Sequence, residues 1–215
     1  MNNLDTLIEN GLVVTENEIG HLNIGIKDGK IAYLGDENLN AEFKINASDL
    51  IVLPGGIDPH VHVDQPSGDD VIMADNFQSA TKSAAAGGNT TILPFAMQIK
   101  GQSLRKCVED YHKKAQGNMY IDTSFHLIIS DPTPQVLGQE LPALSKDGYT
   151  SFKVFMTYDD LVLNDKELIE VFDVAKHLKT LVMVHAEGYD SIKYLSDKFE
   201  KEGKTAPYYH APTRP

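Results

Sequence analysis

An α/β chain of about five βα units, preceded by a small antiparallel β portion, is the fold that this sequence predicts. Three observations predict it. Apolar, β-prone runs recur at intervals of roughly thirty residues from Leu50 onward, helix-length amphipathic stretches separate them, and the first fifty residues hold only short β-like runs around a hairpin signal. Strands separated by helices call for parallel pairing, because a parallel neighbour is reached only through a crossover. At 215 residues the chain is long enough for its own core. It falls short of the roughly 250 residues that a complete eightfold βα barrel takes.

In chain order, residues 1–50 contain LIEN, LVVT, LNIGIK and KIAYLG, with Asp28-Gly29 as the turn between the last two. Residues 51–215 form the second portion. Its strand candidates are LIVLPGGID (from Leu50), NTTILPFA, YIDTSFHLII, YTSFKVFM and TLVMVHAE, with helices expected near 75–86, 103–116, 134–146, 165–179 and 190–202. Gly87 and Gly88 stop the first helix, since glycine accepts the left-handed C-terminal conformation without a Cβ penalty. In the fourth, Asn164 caps the N-terminus with Glu167 in the reciprocal position, and Leu168, Val171, Phe172, Ala175 and Leu178 share one face. Periodicity alone fits either an open doubly wound sheet or an unfinished barrel. The turn PGGIDPH lacks the G-x-G-x-x-G spacing of a dinucleotide site, which weakens the first alternative.

Composition narrows the partners. Asp plus Glu outnumber Lys plus Arg by 31 to 19, a formal charge of −12, so the chain repels nucleic acid and anionic membranes. It contains no run of 18 apolar residues, so no membrane span is expected. Asp5 and Glu9 in the N-terminal stretch argue against a secretory signal, and a cytoplasmic location is expected. The lone Cys107 excludes an internal disulfide or thiolate cluster, leaving His and carboxylates to hold any metal.

Candidate chemistry gathers at strand ends. His60 and His62 are two apart on an extended backbone, so both rings project from one face and can grip a single metal. His185 ends another strand, and Lys153 lies within a third. C-terminal strand ends are where parallel βα proteins put their active sites. An ammonium among Phe152, Val154 and Phe155 must find a partner, reach solvent, or lose its charge. One way to lose it is carbamylation by carbon dioxide, giving a carboxylate able to bridge two metals.

The segments PGGIDPHVHVD, SFKVFMTY and MVHAEGYD resemble three signatures of the cyclic-amide amidohydrolases, specifically the dihydropyrimidinase and D-hydantoinase family, and the resemblance runs from Met1 to Pro215. It implies a partial (β/α)8 TIM barrel with the N-terminal part of a small β-sandwich. By motif position, His60 and His62 would bind a first zinc, His185 a second, and Lys153, as N6-carboxylysine, would bridge both. Tyr158 matches the tyrosine that hydrogen-bonds the substrate and its polarised carbonyl, and Phe155 falls near the pocket. Two zinc ions would activate a shared water and polarise the ring carbonyl. The family's late zinc histidine and its catalytic Asp have no counterpart here. The chain ends at YHAPTRP, so about half the family pattern is missing, and the chain is expected to be a fragment, a truncated gene product or one piece of a split enzyme. Full-length members of the family resemble homotetramers.

Asp64 stands where dihydroorotase-like relatives carry an arginine for a substrate carboxylate. A carboxylate there would repel an anionic ring. Neutral dihydropyrimidines and hydantoins are therefore the expected substrates, with allantoin also admissible. A non-catalytic scaffold relative is the alternative from another class, and retention of the four ligand positions counts against it. The remaining histidines take ordinary roles: His112 and His177 on exposed helix faces, His21 in the N-terminal β portion, His126 hydrogen-bonded in a central strand, and His210 outside the metal pattern. Asp58 serves either its turn or the orientation of a ligand.

Overall fold

The computed structural model describes residues 3–67 and 71–215. By internal contacts it divides into two compact units, Met1–Gly56 and Ile57–Pro215.

The first unit is a five-stranded sheet. Its strands are β1 (Leu4–Val14), β2 (Ile19–Lys27), β3 (Lys30–Gly35), β4 (Ala41–Asn46) and β5 (Ile51–Val52). The order is β3-β2-β1-β4, with β5 also on β1, and the sheet is mixed rather than antiparallel as expected, because β1 pairs antiparallel with β2 but parallel with β4 and β5. The Asp28-Gly29 turn forms as the sequence indicates, with positive φ at both residues (50° and 70°). Asp5 fixes it, accepting from Lys27 Nζ at 2.5 Å and from the Asp28 amide at 2.7 Å. Ile51 and Val52 pair in parallel with Leu12 and Val13, so the run beginning at Leu50 is divided between the two units.

The second unit is built on β6 (Gly56–Val61), β7 (Asn89–Met97), β8 (Asp122–Thr123), β9 (His126–Ile128), β10 (Ser151–Phe155) and β11 (Leu181–His185). The sheet order is β11-β10-β9-β7-β6, with β8 on β7, and the pairings β7·β9, β9·β10 and β10·β11 are all parallel. Five strands in this order, with a helix in most crossovers, match the expected βα units. The helices are α1 (Phe77–Ala86), α2 (Leu104–Ala115), α3 (Leu141–Lys146), α4 (Asp165–Leu178) and α5 (Tyr189–Lys201). None is long and apolar enough to cross a membrane.

Local chemistry accounts for the helix ends. Asn164 and Glu167 form the reciprocal capping box expected of them, at 3.0 and 2.9 Å. After α1 it is Gly88, at φ 85°, that takes the left-handed conformation, while Gly87 stays at φ −83°. The third expected helix forms over 134–146, with a π-helical turn at Val136–Glu140 running directly into α3. On α4 the buried stripe is Leu168, Val171 and Ala175, with Leu178 packed against the same core. Phe172 lies at the edge of that stripe and is exposed, unlike its expected place on the core face.

The core sits between sheet and helices. Val61 and Val63, Ile92 and Ala96, Leu127 and Ile129, Phe152 and Val154, and Val182 and Val184 pack on it with α1–α4. Their neighbours in sequence therefore face the opposite way, because strand side chains alternate.

Candidate functional site

Alternation assigns the functional side chains before any distance is measured. With Val61, Val63, Phe152, Val154, Val182 and Val184 committed to the helix side, His60, His62, Lys153, Phe155, Met183 and His185 must share the other face. Phe95, Ile128 and Phe155 form a small apolar cluster there, with Met97, Leu161 and Met183 against it.

Phe95 is the hub. The ring centre of His60 lies 4.7 Å from it, edge-on, and that of His62 lies 4.9 Å away, stacked. The two imidazole centres are 5.7 Å apart. Lys153 Nζ stands 5.7 Å from the Phe95 ring centre and 5.4 Å from that of Phe155, which in turn stacks on His185 at 5.6 Å. The four residues predicted to form one site thus converge on one face around two phenylalanines.

Lys153 is 7% exposed. Among the described residues no carboxylate or hydrogen-bond acceptor pairs with its ammonium, which lies over the two ring faces instead. Burial alone pushes its pKa below the ordinary lysine value. His60 is likewise held below its ordinary range, by desolvation first and then by the nearby charges of Lys153, His62 and His126. Burial is the leading cause of both shifts, and at His60 the charge of Asp58 opposes it.

His62 Nδ1 lies 2.6 Å from Gln65 Oε1, an acceptor, and Gln65 Nε2 donates to the Phe95 carbonyl at 3.1 Å. The proton of His62 is thereby placed on Nδ1, leaving the Nε2 lone pair for a cation. His185 differs. Its Nε2 is bonded to Glu187 Oε2 and has the Tyr158 hydroxyl at 3.4 Å, and Arg214 Nε stands 3.8 Å from the other Glu187 oxygen. Binding a cation through Nε2 requires that nitrogen to be free of a proton and to give up its bond to Glu187.

Tyr158 and Glu187 line a cavity of about 690 Å³, together with Met97, Gln98, Leu161 and Arg214. Tyr158 adopts φ 72°. That conformation is a genuine outlier for a bulky side chain, and such strain concentrates at functional sites. Asp64 lines a different cavity, where its charge is paired with Lys114. Phe155 is buried and serves as part of the apolar floor.

Sequence reasoning overlooked Gln65, Glu187 and Arg214. Glu187 repeats the i, i+2 spacing of His60 and His62 from His185, a signal that could have been read. Gln65 reaches His62 from only three residues on but is itself held by the distant Phe95 carbonyl, and Arg214 meets Glu187 from 27 residues away.

As to whether these residues suit a metal, no three His, Cys, Asp or Glu side chains among the described residues cluster closely enough to hold an ion on their own. The paired imidazoles of His60 and His62 could share one cation, and Lys153 lies on the same face with no anionic partner among the described residues.

Comparison with known proteins identifies the family and the fold. The profile of the amidohydrolase family matches residues 51–212. The D-hydantoinase of Geobacillus stearothermophilus is 48% identical over 214 residues, covering 97% of this chain and 45% of that protein. The dihydropyrimidinase of Dictyostelium discoideum is 33% identical over 216 residues, covering 97% and 42%. A solved D-hydantoinase structure superposes with a TM-score of 0.94 at 46% identity, over 99% of this chain and 46% of that one. The second unit is accordingly part of an amidohydrolase-type (β/α)8 barrel, and the chain spans a little under half the length of the relatives it matches.

Proposed function

We propose, from the premise that the chain belongs to the amidohydrolase family, that the whole protein is a zinc-dependent hydrolase opening neutral cyclic amides. Its substrates in this reading are 5,6-dihydropyrimidines or 5-substituted hydantoins, and its products N-carbamoyl amino acids. The relatives that support it carry the names D-hydantoinase and dihydropyrimidinase. The observation that carries it is Lys153: a lysine 7% exposed, without an anionic partner among the described residues, on the same strand face as His60, His62 and His185.

His60 and His62 would hold the first zinc, His185 the second, and Lys153, as N6-carboxylysine, both. When bound, such a pair supplies a nucleophilic water at neutral pH and polarises the carbonyl under attack. The chain's own residues prepare for this. Burial of Lys153 raises the fraction of free amine, whose nitrogen would bond to the carbon of carbon dioxide and release one proton, so that a neutral amine becomes a carbamate anion. Gln65 orients His62. Tyr158, held in a strained conformation at the cavity, places its hydroxyl to donate to a substrate carbonyl oxygen. Glu187 holds His185 Nε2 and would have to release it for that ring to bind a cation.

The same reading makes the whole protein a cytoplasmic homotetramer. A non-catalytic scaffold on the same barrel would have no need of these four side chains on one face. Metal analysis of the full-length protein, with ring-opening assays on dihydrouracil, hydantoin and allantoin, tests the proposal. Two zinc ions per chain and turnover of one of the first two rings are expected; absence of both metal and turnover rejects it.

A further inference from the structure

His126 is 5% exposed, and neither the paired imidazoles nor Lys153 touches it through a hydrogen bond, yet both of its ring nitrogens are committed. It lies on β9, in register with Phe95 of β7, with the two ring centres 5.0 Å apart. Its Nε2 is 2.7 Å from the Pro59 carbonyl oxygen, on the strand that carries His60 and His62. Its Nδ1 is 2.5 Å from Ser151 Oγ, on the strand that carries Lys153.

A carbonyl oxygen only accepts, so Nε2 carries the proton and the Ser151 hydroxyl donates to the Nδ1 lone pair. Burial favours this neutral ring, since it disfavours the imidazolium, and the charge of Lys153 acts in the same direction. The peptide it grips is held on its other side as well: the His60 amide donates to Asp58 Oδ1 at 3.1 Å. Both polar atoms of the Pro59–His60 peptide are therefore fixed, one by Asp58 from the same strand and one by His126 from two strands away. Ser151 is two residues before Lys153 and faces the same side of β10.

We infer that His126 is a positioning residue, a neutral Nε2–H imidazole that ties the Pro59–His60 peptide to Ser151 and thereby sets the spacing between His60 and Lys153. The inference rests on the metal-centre reading above. It needs no contact between His126 and a cation: the ring acts through the backbone of one ligand and the strand of another. Groups that orient ligands in this way typically cost 10-fold to 100-fold in metal affinity when removed.

The test uses full-length protein titrated with cobalt(II), whose visible absorption reports ligand geometry, comparing wild type with His126→Phe, Ser151→Ala and the core variant Val136→Ala, which lies outside the site. His126→Phe should weaken cobalt binding at least about 10-fold and shift the absorption bands. Ser151→Ala, which keeps the bond to Pro59, should lose less. Val136→Ala should melt earlier with its cobalt spectrum unchanged. If His126→Phe binds cobalt like wild type, or if Val136→Ala reproduces its loss, the inference falls while the metal-centre reading stands. If wild type takes up no cobalt, both fall. A second readout needs no metal: nitrogen-15 spectra of histidine-labelled, metal-free protein at neutral pH should show His126 as the Nε2–H tautomer, and an Nδ1–H or doubly protonated ring overturns the inference.

Discussion

Lys114 holds Asp64 by two bonds, 2.6 Å to its carbonyl oxygen and 3.0 Å to its carboxylate. The carboxylate that the sequence offers as a repulsive group toward anionic rings is thus already paired by a cation from α2, and it lines a cavity other than that of Tyr158. Discrimination by its charge should be weak. Asp64→Asn retains a residue that tolerates the observed φ of 52°. With both side chains about one-third exposed, the substitution should cost less than about 1 kcal/mol. The ratio of kcat/KM for a neutral ring over a carboxylated one should change by less than about twofold, since the paired charge is largely screened. A tenfold gain for the carboxylated ring in steady-state assays would return Asp64 to the role of selector.

Tyr158 combines a strained backbone, 46% exposure and a hydroxyl 3.4 Å from His185 Nε2. That bond is too long to matter for stability, so Tyr158→Phe should unfold within about 0.5 kcal/mol of wild type. If the hydroxyl donates to the carbonyl oxygen as negative charge develops there, kcat should fall about 100-fold, the usual effect of removing one such donor. KM should move far less. Equal loss in kcat and thermal stability would instead make Tyr158 a structural residue.

Much of this architecture is legible in the sequence because it is written at short range. The alternation that puts His60 and His62 on one face, the Asn164 and Glu167 capping box and the Asp28-Gly29 turn each depend on a few adjacent residues, and each is seen. What stays hidden depends on distant partners. Asp64 meets Lys114 across 50 residues, and His126 meets Pro59 across 67. The strain at Tyr158 and the exposure of Phe172 follow from how loops and helices dock, which periodicity does not encode.

Glu140 belongs to the same long-range class. The π-helical turn ends at this residue, which is 3% exposed. Oε2 accepts from the amides of Leu104 at 2.6 Å and Arg105 at 3.4 Å, while Oε1 accepts from Gln135 Nε2 at 2.9 Å. A carboxylate thus caps the start of α2 from 36 residues away. Glu140→Ala leaves buried amides unpaired and should cost about 2–3 kcal/mol. Urea unfolding should show the midpoint fall with the slope unchanged, and a loss under about 0.5 kcal/mol would mean that water replaces the carboxylate.

Acid should weaken the metal-free protein through His126. Burial first, and Lys153 next, hold its folded pKa below the ordinary 6.5, although the Pro59 carbonyl opposes them. Above 6.5 the ring is neutral in folded and unfolded chains alike, so it adds no pH dependence there. As pH falls through that value the unfolded chain takes up the proton first, binds more protons than the folded one, and is stabilised relative to it. Stability is therefore full above the unfolded pKa and is lost on the way down to the folded one, with a slope of up to about 1.4 kcal/mol per pH unit for one withheld proton. His126→Gln, which has nothing to titrate, should lower stability at pH 7.5 yet flatten the decline between pH 6.5 and 5.0. Urea titrations of chelator-treated wild type and variant at a series of pH values would measure both slopes, and parallel lines would assign the acid sensitivity to another group.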